Sequence, residues 1–137
     1  MKSLILLALC FFCHLPCKAQ VKHIHTIDEF TVINNKFSEK HDSVIVWGTF
    51  LEWSKSGVLT QSDERKALPL KIANNITTAL DIHLFDSIYC SYKVDDLSVK
   101  NLPQFNNGER IELMLVSYLC KSCHPARKIW LVSKLME

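Results

Sequence analysis

The chain has 137 residues, of which 16 are Lys or Arg and 14 are Asp or Glu. This length suits one domain with a single hydrophobic core, so we do not expect a multi-domain arrangement. The near-neutral charge balance includes no basic patch of the kind that follows a phosphate backbone, so we do not expect nucleic acid to be a partner.

The first 19 residues have the features of a secretory leader. Lys2 supplies a positive start, residues 4–12 form an apolar run, and residues 17–19 place small side chains before a cleavage site. We therefore predict a signal peptide over residues 1–19 and a single mature domain over residues 20–137, exported to the periplasm or secreted. The apolar run is shorter than the roughly 18 residues that a membrane span requires, so no membrane span is expected.

A short amphipathic helix is predicted near the start of the mature domain. Thr26 and Glu29 form the S/T-x-x-E pattern, in which the two side chains satisfy backbone donors at a helix start. Apolar residues then recur at helical spacing at Ile27, Phe30, Ile33 and Phe37. We expect this apolar side of the helix to pack against a sheet.

Several segments have the composition of β-strands. Residues 44–53 are rich in β-branched and aromatic side chains, and Gly48 gives that strand a point at which to bend. Residues 58–60 are predicted to form a return strand, residues 68–73 an edge strand, and residues 87–94 a further strand.

The last two predicted strands form a hairpin. Asp95 and Asp96 are predicted to cap a short helix that ends at Pro103, and residues 106–108 (Asn-Asn-Gly) then give a strong turn signal. Residues 111–119 and 129–136 are expected to pair as antiparallel strands.

This order of segments resembles the OB-fold, a small five-stranded barrel. The resemblance is carried by residues 44–50 (V-I-V-W-G-T-F) and residues 107–116 (N-G-E-R-I-E-L-M-L-V), which are similar to two recurring strands of small exported OB-fold proteins. It implies a mainly β, OB-like barrel with an N-terminal helix and one short helix before strand 4. Such folds bind oligonucleotides, oligosaccharides or proteins on one face, and the fold alone does not choose among them.

Cys120, Cys123 and His124 form a C-x-x-C-H string at the predicted hairpin end. The string resembles the haem-attachment motif of c-type cytochromes, in which two thiols hold the porphyrin and the next histidine ligates the iron. By that resemblance, Cys120 and Cys123 would bind haem c and His124 would be the iron ligand.

The same cysteines permit other chemistry. The mature domain retains three cysteines, so Cys120 could pair with Cys123, or one of the two with Cys90, in a compartment where disulfides persist. A metal site would need further ligands, for which His83 and Cys90 are candidates. Dithiol redox chemistry is another alternative.

Trp47 and Trp53 are predicted to lie on one strand face, where they could form a stacking platform for a ligand. No catalytic arrangement can be recognised from residue spacing. We therefore expect an exported, non-catalytic binding or accessory module, without a cofactor, for an unknown protein or small ligand. A monohaem c-type cytochrome is the alternative, and a metal or dithiol redox site is a further one.

Overall fold

The computed structural model describes residues 21–56 and 63–136, which form six strands and three short helices. The strands are β1 (Lys22–His23), β2 (Ser43–Lys55), β3 (Thr78–Leu84), β4 (Ile88–Val94), β5 (Arg110–Cys120) and β6 (Arg127–Leu135). The helices are α1 (Ile27–Asn35), α2 (Asp63–Ala67) and α3 (Leu70–Ala73). The predicted signal peptide and the predicted return strand at residues 58–60 lie outside the described residues. No described helix has the length and apolar character needed to cross a bilayer.

Five of the strands close into a barrel, which confirms the predicted fold class. The strand order around the barrel is β2-β3-β4-β6-β5, and β5 returns to pair with β2. All neighbours are antiparallel except β4 and β6, which pair in parallel through Lys93 with Leu131 and Val94 with Val132. The short β1 adds to β2 in parallel. This arrangement is that of a small OB-like barrel.

Strand β2 belongs to two ladders, and Gly48 lies where they overlap. The first half of β2 pairs with β5 and the second half pairs with β3. A Cβ atom at Gly48 would lie 2.5 Å from Cδ1 of Ile82 and 2.7 Å from the carbonyl oxygen of His83. Glycine therefore allows the backbones of β2 and β3 to approach as the barrel closes.

The predicted N-terminal helix is confirmed as α1. The hydroxyl of Thr26 accepts a hydrogen bond from the backbone N–H of Glu29 at 3.3 Å, as the capping pattern predicts. Phe30 is buried against the rings of Phe85 and Trp130, with ring centroids 6.4 Å and 5.2 Å away. The helix thereby covers part of the barrel core.

The end of α1 differs from the sequence prediction. The helix ends at Asn35, so Phe37 lies beyond it and is 67% exposed. The ammonium of Lys128, which is almost completely buried, donates to the carbonyl oxygen of Ile33 at 2.6 Å and to the carboxylate of Asp42. This buried charge fixes the end of α1 to strand β6.

The predicted edge strand at residues 68–73 is wrong, because the segment is helical. Leu68 connects α2 to α3, and the backbone N–H of Ala73 donates to the carbonyl oxygen of Pro69 at 2.9 Å. Leu68 and Ala73 are both buried against side chains outside the barrel. A short alternation of apolar and polar residues is compatible with either structure, and here packing on the barrel favours helical turns.

The segment between β4 and β5 was predicted partly correctly. The carboxylate of Asp95 accepts from the backbone N–H of Leu97 at 3.1 Å and from the hydroxyl of Ser98 at 2.8 Å, but it caps a turn and not the predicted short helix. The predicted turn at residues 106–108 is confirmed, with Gly108 at φ +86°. The strand predicted at residues 87–94 is confirmed as β4, whereas residues 79–86 gave no decisive signal and contain most of β3.

Candidate functional site

The C-x-x-C-H string lies where β5 and β6 meet, as predicted, and its two cysteines form a disulfide. Of the pairings that the sequence allowed, the structure has Cys120 with Cys123. Cys120 is fully buried and Cys123 is 6% exposed. Both pack in a second hydrophobic cluster with Leu68 and Leu131. The disulfide therefore fastens the hairpin end beneath α2 and α3.

Haem attachment through Cys120 and Cys123 remains a prediction of the sequence. In the structure the two sulfur atoms are bonded to each other, so a haem would require both thiols to be released first. His124, the predicted iron ligand, is exposed at the hairpin end. The side chains around the sulfurs already pack against one another.

The additional metal ligands proposed from the sequence lie on different sides of the barrel wall. Cys90 is opposite Ile82 and faces inward, whereas His83 is exposed. Cys90 is a free, half-buried thiol whose pKa is raised by burial. Over residues 21–56 and 63–136, no group of three His, Cys, Asp or Glu side chains is placed to hold a metal ion.

The two tryptophans do not share one face of β2, so the predicted common platform is wrong. Trp47 lies opposite Glu112, an exposed residue on the outer side of β5. A register shift after Phe50 reverses the sides, and Trp53 consequently lies opposite Leu80 on the inner side of β3. A bulge of this kind moves every following side chain to the other face.

Each tryptophan instead makes its own structural contacts. The indole N–H of Trp53 donates to the carbonyl oxygen of Pro103 at 3.1 Å, and its ring stacks on Phe105 with centroids 6.3 Å apart. The guanidinium of Arg110 lies 4.1 Å from the ring centroid of Trp47. Both rings thus make packing contacts along β2, Trp47 in its first half and Trp53 near its end. Their role in ligand binding stays a prediction.

The outer side of β5 and β6 forms the first of two contrasting surfaces, which we name the closed face. It consists of Tyr118, Cys120, Ile129 and Leu131. Helices α2 and α3 cover it with Leu68 and Ala73, and Leu131 is only 1% exposed. The closed face is therefore a small core of its own, outside the barrel.

The second surface, the open face, is the outer side of β2, β3 and β4. Its side chains form two rows across the three strands. The rows are Thr49, His83 and Tyr89, and Glu52, Asp81 and Ser91. The intervening residues of β3 point into the barrel and are fully buried, which places both rows outside. His83, Glu52, Tyr89 and Ser91 are exposed.

Asp81 occupies the centre of its row and, unlike Glu52 and Ser91 on either side, is buried. It is only 4% exposed although it lies on the outer side of the sheet. Its Oδ1 atom has no hydrogen-bond partner and, among the described residues, is the only such buried side-chain oxygen or nitrogen. Buried polar atoms nearly always have a partner, so this carboxylate has an acceptor site that the described chain leaves unused.

The electrostatics of the open face are acidic. Partial desolvation raises the pKa of Tyr89, and the charge of the nearby Asp81 carboxylate raises it further. The charge of Glu52 acts in the same direction. Tyr89 remains 62% exposed beside these carboxylates. The arrangement offers negative charge and an aromatic face together.

Glu64 marks the border between the two faces. It lies on α2 and binds Lys93 of β4 at 2.7 Å and Arg127 of β6. The hydrogen bond from Lys93 is the main cause that lowers the pKa of Glu64; burial opposes it, and Arg127 lowers the pKa further. Lys93, the basic residue of β4, therefore forms its ion pair with helix α2, which covers the closed face.

The sequence contained one usable signal for the open face that residue spacing alone did not identify. Asp81 stands between Leu80 and Ile82, in a segment that alternates as a strand. Aspartate is depleted from strands, so its presence there needs a reason. Glu52 and Tyr89 gave no comparable signal, because their meeting depends on strand register. No protein-family model, curated protein or solved structure matches this chain.

Proposed function

We propose that this protein is an exported, non-catalytic binding module that takes its ligand on the open face. OB-folds use the outer side of their second and third strands for binding, bordered by the loops that follow the first and fourth strands. Here those strands are β3 and β4. The bordering segments are the connection that carries α2 and α3 and the hairpin end at Cys120–Cys123.

The observation that carries this proposal is the state of Asp81. A buried carboxylate oxygen without a donor costs free energy, on the order of 1–3 kcal/mol. Unpaired buried polar atoms are rare in proteins and are often found at functional sites. A ligand that donates a hydrogen bond to the oxygen would remove this unfavourable free energy. The cost lies in the middle of the face that this kind of barrel uses for binding.

Export is proposed on separate grounds. Residues 1–19 have the composition of a secretory leader. The disulfide between Cys120 and Cys123 is of a kind that persists in oxidising compartments. The periplasm or the extracellular space would keep this disulfide of the hairpin end intact.

A fragment screen tests the location of binding while the natural ligand is unidentified. The oxidised, exported protein would be labelled with ¹⁵N and exposed to a library of small amines, carboxylic acids and sugars. We expect saturable amide shifts to concentrate on Asp81, Tyr89 and Ser91. Tyr89→Ala should weaken those hits, whereas Met114→Ala, on the outer side of β5, should not. Hits confined to other surfaces, or no hits at all, would refute the proposal.

A further inference from the structure

We infer that the ligand of the open face presents a cationic nitrogen group with N–H donors, an ammonium or a guanidinium, to the carboxylate of Asp81. This inference rests on the proposed binding function and adds the chemical class of the ligand. Its basis is the combination of an unused buried acceptor, a surplus of negative charge and an exposed aromatic ring.

The unused acceptor determines which atom the ligand must supply. Oδ1 of Asp81 is buried and has no partner, so it can only gain a hydrogen-bond donor. A donor that also carries positive charge forms a stronger bond to a carboxylate than a neutral one does. A ligand with an anionic or acceptor-only group would instead face repulsion at this position.

The charges around Asp81 support a cation. From β2, Glu52 lies directly opposite Asp81, and from β4 the neutral Ser91 lies on the other side. The other row contributes Thr49, His83 and Tyr89, of which only His83 can become positive. Beyond Thr49, the row continues on β5 with Arg110, whose guanidinium lies over the ring of Trp47, while the carboxylate of Asp86 accepts a hydrogen bond from Thr49. Lys93, two residues beyond Ser91 on β4, is paired with Glu64 at 2.7 Å. Adjacent strands thus place two carboxylates, those of Glu52 and Asp81, next to each other on the outer side of the sheet.

Two neighbouring carboxylates suit a flat cation with several donors. A guanidinium offers five donors in one plane and can bridge two acceptors, here the carboxylates of Glu52 and Asp81. The exposed ring of Tyr89 offers a π face beside them. The chain already contains one such contact, because the guanidinium of Arg110 lies 4.1 Å from the centroid of Trp47.

Tyr89 lies beside Asp81 on the open face and is free to move. It is 62% exposed, and the charge of the Asp81 carboxylate raises the pKa of its phenol. An exposed side chain changes rotamer within nanoseconds, so the ring can swing aside and then close on the bound cation. The ligand would thereby gain both the carboxylate and the aromatic contact.

The test is an NMR titration of the ¹⁵N-labelled, oxidised protein with methylguanidinium chloride. Sodium chloride of equal ionic strength controls for salt. Tetramethylammonium controls for a cation that lacks N–H donors, and sodium acetate controls for an anion. We expect saturable shifts at the amides of Asp81 and Ser91 with methylguanidinium only. Shifts of equal affinity with tetramethylammonium would overturn the hydrogen-bonding part of the inference.

Variants connect the binding to particular carboxylates. Asp81→Asn keeps the shape of the side chain and should weaken methylguanidinium binding at least about tenfold, and Glu52→Gln about threefold. The matched control is Asp63→Asn, because Asp63 lies on α2 in an exposed pair with Lys66 and should leave the affinity unchanged. If Asp81→Asn fails to fold, the exposed Glu52→Gln variant decides in its place.

A peptide arm identifies the source of the cation. Acetyl-Gly-Arg-Gly-amide is compared with acetyl-Gly-Gly-Gly-amide and with methylguanidinium. Tighter binding of the arginine peptide than of methylguanidinium would assign the site to protein partners, and equal binding would assign it to small amines. Equal affinity of wild type and both carboxylate variants would overturn the inference. If other fragments still bound the open face, the binding module itself would stand.

Discussion

The two outer faces of this barrel differ in how their outward side chains are treated: those of one face are covered by helices, and those of the other remain mostly exposed to solvent. On the closed face, outward apolar residues of β5 and β6 would lie in water, and the chain covers them with α2 and α3, beneath which a disulfide closes the hairpin end. On the open face, outward residues are mostly polar and exposed, yet the central Asp81 is buried without a full set of partners. The apolar residues of the closed face are therefore buried, whereas the open face keeps one carboxylate oxygen without a hydrogen-bond donor.

This difference indicates where function and stability lie. The closed face contributes to the stability of the fold, since its apolar side chains are removed from water. The open face holds a group whose burial costs stability, which is a common property of binding sites. Substitutions on the two faces should therefore have effects of opposite sign.

The largest effect is expected from Leu131→Ala on the closed face. Leu131 is 1% exposed between β6 and the helical cover, so truncation should lower the free energy of unfolding by about 3 kcal/mol. Urea denaturation followed by fluorescence measures the change. Met114→Ala, on the uncovered part of the same strand pair, is the control and should cost less than about 1 kcal/mol. Equal losses would mean that the cover adds no core.

Removal of the disulfide should have the next largest effect. Cys120→Ala with Cys123→Ala opens a short loop and should lower the free energy of unfolding by about 2 kcal/mol. Hydrogen exchange should accelerate at Leu68 and Ala73 but not on β3.

The chemical state of the cysteines can be checked in the same preparation. From a host with a haem-attachment system, the exported wild type should have an intact mass lower by two hydrogen atoms than its reduced chain. One thiol, that of Cys90, should react with iodoacetamide only after unfolding, because burial raises its pKa. A covalent haem adduct with a Soret band would contradict the disulfide account and support the cytochrome alternative.

On the open face, Asp81→Val should stabilise the protein. Valine is close to aspartate in size, favours strands and removes the oxygen that has no partner, so the free energy of unfolding should rise by about 1 kcal/mol. His83→Val, at the next outward position of β3, is the control for strand propensity alone. A loss of stability in Asp81→Val larger than in His83→Val would show that the carboxylate is already satisfied.

The smallest effect concerns the border residue Glu64 and depends on pH. The folded protein lowers the pKa of Glu64, chiefly through Lys93, so its stabilising contribution is present above the unfolded pKa and is lost as pH falls through the folded value. In free energy of unfolding, wild type should therefore exceed Glu64→Gln by about 1 kcal/mol at pH 7, and the gap should close as the pH falls through the folded pKa of Glu64.

Glu39 provides the matched control for this measurement. It forms a fully exposed pair with Lys121 at 2.6 Å, which lowers its pKa as well. Solvent screens such a pair, so Glu39→Gln should leave the pH dependence of unfolding unchanged. A gap between wild type and Glu64→Gln that persists in acid would show that the hydrogen bonds and not the ionised carboxylate hold α2.

The sequence predicted those features that depend on local pattern. The strand that contains Gly48, the capped helix after Thr26 and the β5–β6 hairpin follow from residue type and spacing, and the structure confirms them. The resemblance to the OB-fold identified the class of barrel, although residues 68–73 proved helical. This error concerns a short segment in which packing outweighs local preference.

The open face depends on contacts that spacing does not reveal. The register shift after Phe50 separates Trp47 from Trp53 and places Glu52 opposite Asp81. A one-residue bulge leaves no reliable mark in the sequence, and it reverses every assignment of side chains beyond it. The candidate site therefore became visible only once the strands were paired.

The most direct test of binding on the open face measures contacts between methylguanidinium and the protein by intermolecular nuclear Overhauser effects. We predict cross-peaks from the ligand methyl protons to the ring protons of Tyr89 and the β protons of Asp81. Cross-peaks to Leu68 or Leu131 would mean that the closed face is the binding surface, and would contradict the assignment of binding to the open face.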